Sequence, residues 1–148
     1  MSSPENITSA IVDTLYETAL DLAEEARGAF EVAEAELSGD AGMRAVLSRQ
    51  ALRTNTQLMH AMAWLLNHRA YFAGEMTEAQ LRRHGALPPA TDTPDAGPRF
   101  GPELGDVIEQ TRDLHARISR LDAVRQTEYA APPAAVHRLH DRLGKAFG

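Results

Sequence analysis

Apolar residues recur at steps of three and four along most of this chain, which is the spacing of one face of an α-helix. In the first segment they form one stripe, while acidic residues occupy most of the other positions. The stripe predicts a long helix that packs on one side only. It consists of Ile7, Ile11, Leu15, Ala19, Leu22, Ala26, Phe30, Ala33 and Leu37.

The ends of this first helix carry recognisable capping residues. Thr8 or Ser9 can serve as the N-cap. An earlier start, in which Ser3 is the N-cap and Pro4 lies in the first turn, is equally plausible. Residues 38–40 read Ser-Gly-Asp, and we expect the helix to end there with the glycine in the left-handed C-cap conformation.

The second segment, about residues 42–73, changes character along its length. Residues 43–57 are amphipathic, as expected for one wall of a helical bundle, but residues 58–73 are apolar around nearly the whole circumference. Either neighbouring helices enclose this half or one of its faces is an interface. Methionine and tryptophan are common at protein-recognition surfaces. The candidate interface residues are Leu58, Met59, Met62, Trp64 and Leu66.

Helix-breaking residues then divide the rest of the chain. Thr77 is expected to cap a short polar helix over residues 78–84, and the breaker-rich stretch 85–102 is expected to be a mobile or functional loop. A third main helix is expected from 103 to 129 because a narrow heptad stripe runs along it. That stripe consists of Leu104, Val107, Thr111, Leu114, Ile118 and Leu121.

The last residues form a separate amphipathic segment. After two prolines, apolar side chains recur on one side and basic ones on the other, so we expect a short C-terminal helix or a flexible tail. Its candidate interface residues are Val136, Leu139, Leu143 and Phe147. The fold class is therefore all-α: an up-down three-helix bundle, residues 1–130, with a short extra helix after the second helix and a tail over 131–148.

The charge of the chain is unevenly distributed. Residues 1–40 hold ten acids and one base, whereas residues 41–84 hold six arginines and two acids. Opposite charges suit two helices packed side by side, but the net charge of -6 suits nucleic acid poorly. Cysteine is absent, and neither a targeting segment nor a membrane span is expected. We therefore expect a cytoplasmic protein with no nucleic-acid partner and no membrane contact.

The histidines and carboxylates do not form a recognisable catalytic or metal-binding pattern. His60 and His68 are two helical turns apart, too far to share a metal, and His137 with His140 lacks the carboxylate spacing of metal-binding bundles. No nucleophile arrangement or phosphate-binding glycine pattern is present. We expect a non-enzymatic protein without catalytic, cofactor or metal residues. The alternative is a helical bundle that binds a metal or small ligand.

Residues 50–78 carry a resemblance to a known family. The runs Gln57-Leu58-Met59, Trp64-Leu65-Leu66, Arg69-Ala70 and Gly74-Glu75-Met76-Thr77 resemble the DUF1465 family. The resemblance implies a three-helix bundle that forms a homodimer. It also implies an adaptor that regulates degradation of cell-cycle proteins by the ClpXP protease. The implied partners are ClpXP and its priming regulators or cargo; no cofactor is implied.

Overall fold

The structure is a computed structural model that describes residues 7–90, 100–130 and 142–143. Four helices account for most of these residues. They are α1 (Ser9–Glu36), α2 (Ala41–Phe72), α3 (Glu78–His84) and α4 (Pro102–Ala130). The described part of the chain contains no strand, so the expected all-α class is confirmed.

The capping residues explain where α1 and α2 begin. The side chain of Thr8 accepts a hydrogen bond from the backbone N–H of Ile11 at 3.2 Å, so Thr8 is the N-cap among the alternatives. Asp40 caps α2 in the same way, accepting from the N–H of Met43 at 3.0 Å. The two helices are therefore joined by a short connection whose last residue already belongs to the next cap.

The expected left-handed Gly39 is wrong. Among the described glycines only Gly74 and Gly101 have positive φ. α1 ends at Glu36 with Leu37 as C-cap, and the N–H of Leu37 bonds to the carbonyls of Ala33 and Glu34. Because these bonds already satisfy carbonyls of the last turn, the helix ends without a left-handed residue.

The core lies where α1, α2 and α4 meet, and each of these helices contacts the other two. The predicted α1 stripe and the predicted heptad stripe of α4 both face inward. Burial of their apolar residues stabilises the packing of the helices. The buried apolar residues are Val12, Leu15, Ala19, Leu22, Ala26, Phe30 and Ala33 of α1, Leu47, Leu58, Ala61, Trp64 and Leu65 of α2, and Leu104, Val107, Ile108, Leu114 and Ile118 of α4.

Two ion pairs cross between α1 and α2. Arg69 lies 3.3 Å from Asp13, and Arg44 lies 3.7 Å from Glu34. Since the end of α2 meets the start of α1, the two helices run in opposite directions. Both pairs are about half exposed, so they contribute little to stability, although they agree with the opposite charges of the two segments.

The short helix α3 has the predicted bounds. Thr77 and Gln80 form a reciprocal capping box, in which each side chain accepts from the backbone N–H of the other residue, at 3.1 and 2.9 Å. Leu81 is its buried residue, and Gly85 is the C-cap. α3 packs on α2, and the side-chain amide of Asn67 donates to the carbonyl oxygen of His84 at 3.4 Å.

Candidate functional site

The outer face of α2 carries three large aliphatic side chains in a row. Leu52, Met59 and Leu66 are 70%, 68% and 46% exposed. They are seven residues apart, so they lie along one side of the helix, two turns from one another. We name these three residues the α2 stripe. No described element of the chain covers them.

The surroundings of the α2 stripe allow another helix to approach closely. Two positions beside the stripe are small or short: Thr56 and Ala63 lie on the same side of the helix, and Ala45 continues that side toward the N-terminus. Residues 41–74 contain no acid, so any formal charge of α2 beside the stripe is positive. A face of this kind is suited to binding a protein surface.

The predicted interface residues of α2 divide between core and surface. Met59 and Leu66 are exposed, whereas Leu58 and Trp64 are 3% and 1% exposed and belong to the core. Met62 is partly buried and packs against the core. Leu58 and Trp64 are thus corrected from candidate contacts to core residues, because they point toward α1 and α4.

Leu52 is not among the predicted interface residues, because it lies in residues 43–57, whose amphipathic pattern is typical of one wall of a helical bundle. Its seven-residue spacing to Met59 and Leu66 was the available signal. In the predicted C-terminal interface, Val136, Leu139 and Phe147 lie outside the described residues. Leu143 is described and is 44% exposed.

A buried polar cluster holds α2, α4 and the segment after α3 together. The indole N–H of Trp64 donates to one carboxylate oxygen of Asp122 at 3.0 Å, and the backbone N–H of Leu87 donates to the other at 3.1 Å. Nearby, His115 Nε2 lies 3.2 Å from the carbonyl oxygen of Pro88 and donates to it. Within the predicted loop 85–102, residues 87 and 88 are therefore fixed to α4.

His68 belongs to the same cluster and is 1% exposed. Its ring stacks on that of Trp64, with centroids 3.6 Å apart. Nδ1 lies 2.9 Å from the Trp64 carbonyl oxygen; since a carbonyl only accepts, Nδ1 carries the proton. Nε2 is then the unprotonated nitrogen, and it is buried without a hydrogen-bond partner.

Burial sets the protonation of both histidines. It lowers the pKa of His68 to about 4, and Arg125 acts in the same direction, against the bond to Trp64 and the charge of Asp122. Burial also lowers the pKa of His115, against its bond to Pro88. Within the described ranges no three His, Cys, Asp or Glu side chains are grouped so as to hold a metal. The cluster's observed contacts are those of a structural network that joins helices.

The fold and surface together define a class: a small all-helical domain with a polar network inside and an apolar stripe on its outer face. The chain belongs to the DUF1465 family, described as proteins of unknown function, which it matches over residues 3–147. Comparison with curated proteins and with solved structures found no match. None of the helices in the described residues is long and apolar enough to cross a membrane.

Proposed function

We propose that this protein is a non-enzymatic, cytoplasmic adaptor that works as a homodimer and regulates ClpXP-dependent degradation of cell-cycle proteins. Membership of the DUF1465 family supports the proposal. We take the resemblance of residues 50–78 to extend to one member of that family, the regulator of CtrA degradation, an adaptor for this protease. The exposed α2 stripe is the observation that carries the proposal, because an adaptor needs surfaces for other proteins rather than a reaction site.

The homodimer is proposed on the chemistry of the α2 stripe. Monomers rarely leave a row of large aliphatic side chains in water, since their burial is favourable by about 25 cal/mol for each Å² removed from solvent. A two-fold axis near Met59 would place Leu52 of one copy beside Leu66 of the other. The same three residues would then be covered on both copies by one contact.

We also infer how the three long helices run, and the direction of α4 differs from the expected up-down order. The ion pairs of Asp13 and Glu34 align α1 and α2 in opposite directions. The Trp64–Asp122 bond joins the second half of α2 to the second half of α4, so these two helices run in the same direction. The end of α1 lines a hollow together with the start of α4, so α1 and α4 run in opposite directions. This arrangement leaves the side of α2 that carries the α2 stripe as the outer face.

The adaptor role is tested by capture of its proposed partners. The full-length protein is immobilised and exposed to purified ClpX and to a response regulator that primes ClpXP. The expected result is retention of ClpX, the regulator or both. Retention should be lost in Met59→Glu, because a carboxylate in the α2 stripe separates the two copies of the proposed dimer. Leu20→Glu is the matched control, because Leu20 is an exposed leucine of α1, outside the α2 stripe.

The adaptor proposal fails if neither protein is retained and the half-lives of ClpXP substrates are the same in cells with and without this protein. The role assigned to the α2 stripe is refuted if Met59→Glu and Leu20→Glu reduce retention equally. Circular dichroism of both variants shows whether each keeps the helical fold.

A further inference from the structure

A second surface lies between α1 and α4, and no residue of α2 lines it. Three shallow hollows, with volumes of about 290, 460 and 230 Å³, follow the line along which the two helices meet. Gly28, Ala29 and Val32 line its middle part, where small side chains leave the depression open. Val32 is 54% exposed there. We name this depression the α1–α4 groove.

The rim of the α1–α4 groove is acidic. Glu25 and Glu36 line it from α1, and Glu103, Asp106 and Asp113 line it from α4. None of these five carboxylates takes part in the ion pairs or side-chain hydrogen bonds found among the described residues. The one base that lines the groove is Arg117, at its far end. The middle of the groove is thus an apolar depression between uncompensated negative charges.

We propose that the α1–α4 groove binds a basic amphipathic helix of a partner protein. Apolar side chains of that helix would cover Val32 and the small residues beside it, while arginine or lysine side chains on its two flanks would pair with the acids of the rim. From Thr18 to Glu36 the groove follows α1 for about 27 Å, at 1.5 Å per residue, which is the length of a helix of about five turns.

The charge of the groove selects this partner over others. Nucleic acid is repelled by the five carboxylates, as is an acidic peptide. A second copy could reach the groove only with a different surface, such as its arginine-bearing α2 or its basic C-terminal segment, residues 131–148. Contacts between unlike surfaces extend from copy to copy unless they close into a ring, so a separate protein is the simpler occupant. This proposal goes beyond the adaptor role and does not depend on the α2 stripe.

A synthetic peptide tests the proposal on the full-length protein. The probe is a fluorescein-labelled peptide of 18 residues, with leucine at helical three- and four-residue steps and lysine or arginine on both flanks. Fluorescence anisotropy should show saturable, one-to-one binding. A peptide of identical composition in scrambled order should bind at least tenfold more weakly, and one with glutamate in place of the bases should not bind.

Paired substitutions locate the bound peptide. Glu25→Lys with Asp106→Lys reverses charge on both sides of the groove and is expected to weaken binding at least tenfold. Glu17→Lys with Glu128→Lys is the matched control: it changes the same two helices and the net charge equally, but at exposed positions that do not line the groove. Val32→Asn, at an exposed position, tests the apolar depression without changing charge and should weaken binding several-fold.

The proposal is overturned if the basic peptide fails to bind, if the scrambled peptide binds as well, or if both double variants weaken binding equally. Circular dichroism identifies a variant that does not fold, in which case Val32→Asn decides the outcome: unchanged affinity contradicts the proposal. If the protein is monomeric and does not bind ClpX, yet binds the peptide in this groove, the proposed function is refuted and the proposal for the groove is supported.

Discussion

Asp122 connects three distant parts of the chain through one carboxylate. It accepts from the Trp64 side chain and from the backbone of Leu87, so α4, α2 and the segment after α3 depend on one residue. Trp64 is 1% exposed, and the carboxylate of Asp122 is the hydrogen-bond acceptor of its indole N–H. Loss of the Trp64–Asp122 bond should therefore lower the free energy of unfolding mainly because the indole N–H is left without an acceptor.

Asp122→Ala is expected to lower the free energy of unfolding by about 2 to 3 kcal/mol, the usual cost of a buried donor that loses a charged acceptor. Urea denaturation followed by circular dichroism measures it. Asp113→Ala, at an exposed position of the same helix, is the control and should leave stability unchanged or slightly higher, since alanine favours helix. Equal effects of the two substitutions would refute the importance assigned to the Asp122 bonds.

The buried histidines make the fold sensitive to acid. The pKa of His68 is about 4 in the folded protein, against about 6.5 in an unfolded chain, so the unfolded chain binds a proton first as the pH falls. The free energy of unfolding should therefore decrease below pH 6.5 and continue to decrease to about pH 4. Between pH 7.5 and 5 the loss from His68 is about 2 kcal/mol.

His68→Phe is the variant that isolates this effect, because phenylalanine retains a ring to stack on Trp64 but does not titrate. Urea denaturation at pH 7.5 and 5 should show a smaller fall in stability for the variant, by about 2 kcal/mol. The remaining fall includes His115, whose pKa is lowered in the same direction. An identical pH dependence in both proteins would show that His68 is not held neutral by burial.

At the scale of the elements, α2 packs into the core with one face and exposes the α2 stripe on another. Leu65 is fully buried in the core, and its neighbour Leu66 is 46% exposed on the α2 stripe. Successive residues lie about 100° apart around a helix, so adjacent leucines can serve the core and the surface separately. The pair offers a matched comparison of identical side chains.

Leu65→Ala should lower the free energy of unfolding by about 3 kcal/mol, because it removes buried methyl groups and leaves a cavity. Leu66→Ala should lower it by less than about 1 kcal/mol. The comparison requires urea denaturation at protein concentrations where light scattering detects only monomer, so that loss of a dimer does not contribute. Comparable losses would mean that the assignment of the two faces is incorrect.

The elements were largely predictable because their signals are local. The bounds of α3 follow from Thr77 and Gly85, and the inward face of α4 follows from its heptad spacing. The outer face of α2 was only partly predictable. Met59 and Leu66 were candidates, but residues 58–73 are apolar around nearly the whole helix, and the positions of α1 and α4 decide which side is covered. The bonds of Asp122 depend on residues 35 and 58 positions away, and no local pattern indicates them.

At the scale of the whole molecule, the two candidate binding surfaces have opposite chemistry. The α2 stripe is apolar in a segment without acids, whereas the α1–α4 groove is rimmed by acids. One surface suits a second copy and the other suits a basic partner, so a dimer would present two grooves. Adaptors use such an arrangement to join several proteins in one assembly, since linked sites raise the effective concentration of each partner.

The central claim is that the α2 stripe is a contact between two copies. Size-exclusion chromatography with multi-angle light scattering, from micromolar to hundreds of micromolar protein, tests it most directly. The account predicts twice the mass of one chain for the unaltered protein and for Leu20→Glu. It predicts the mass of a single, folded chain for Met59→Glu. A single-chain mass for the unaltered protein at every concentration, or a dimer that survives Met59→Glu, would contradict it.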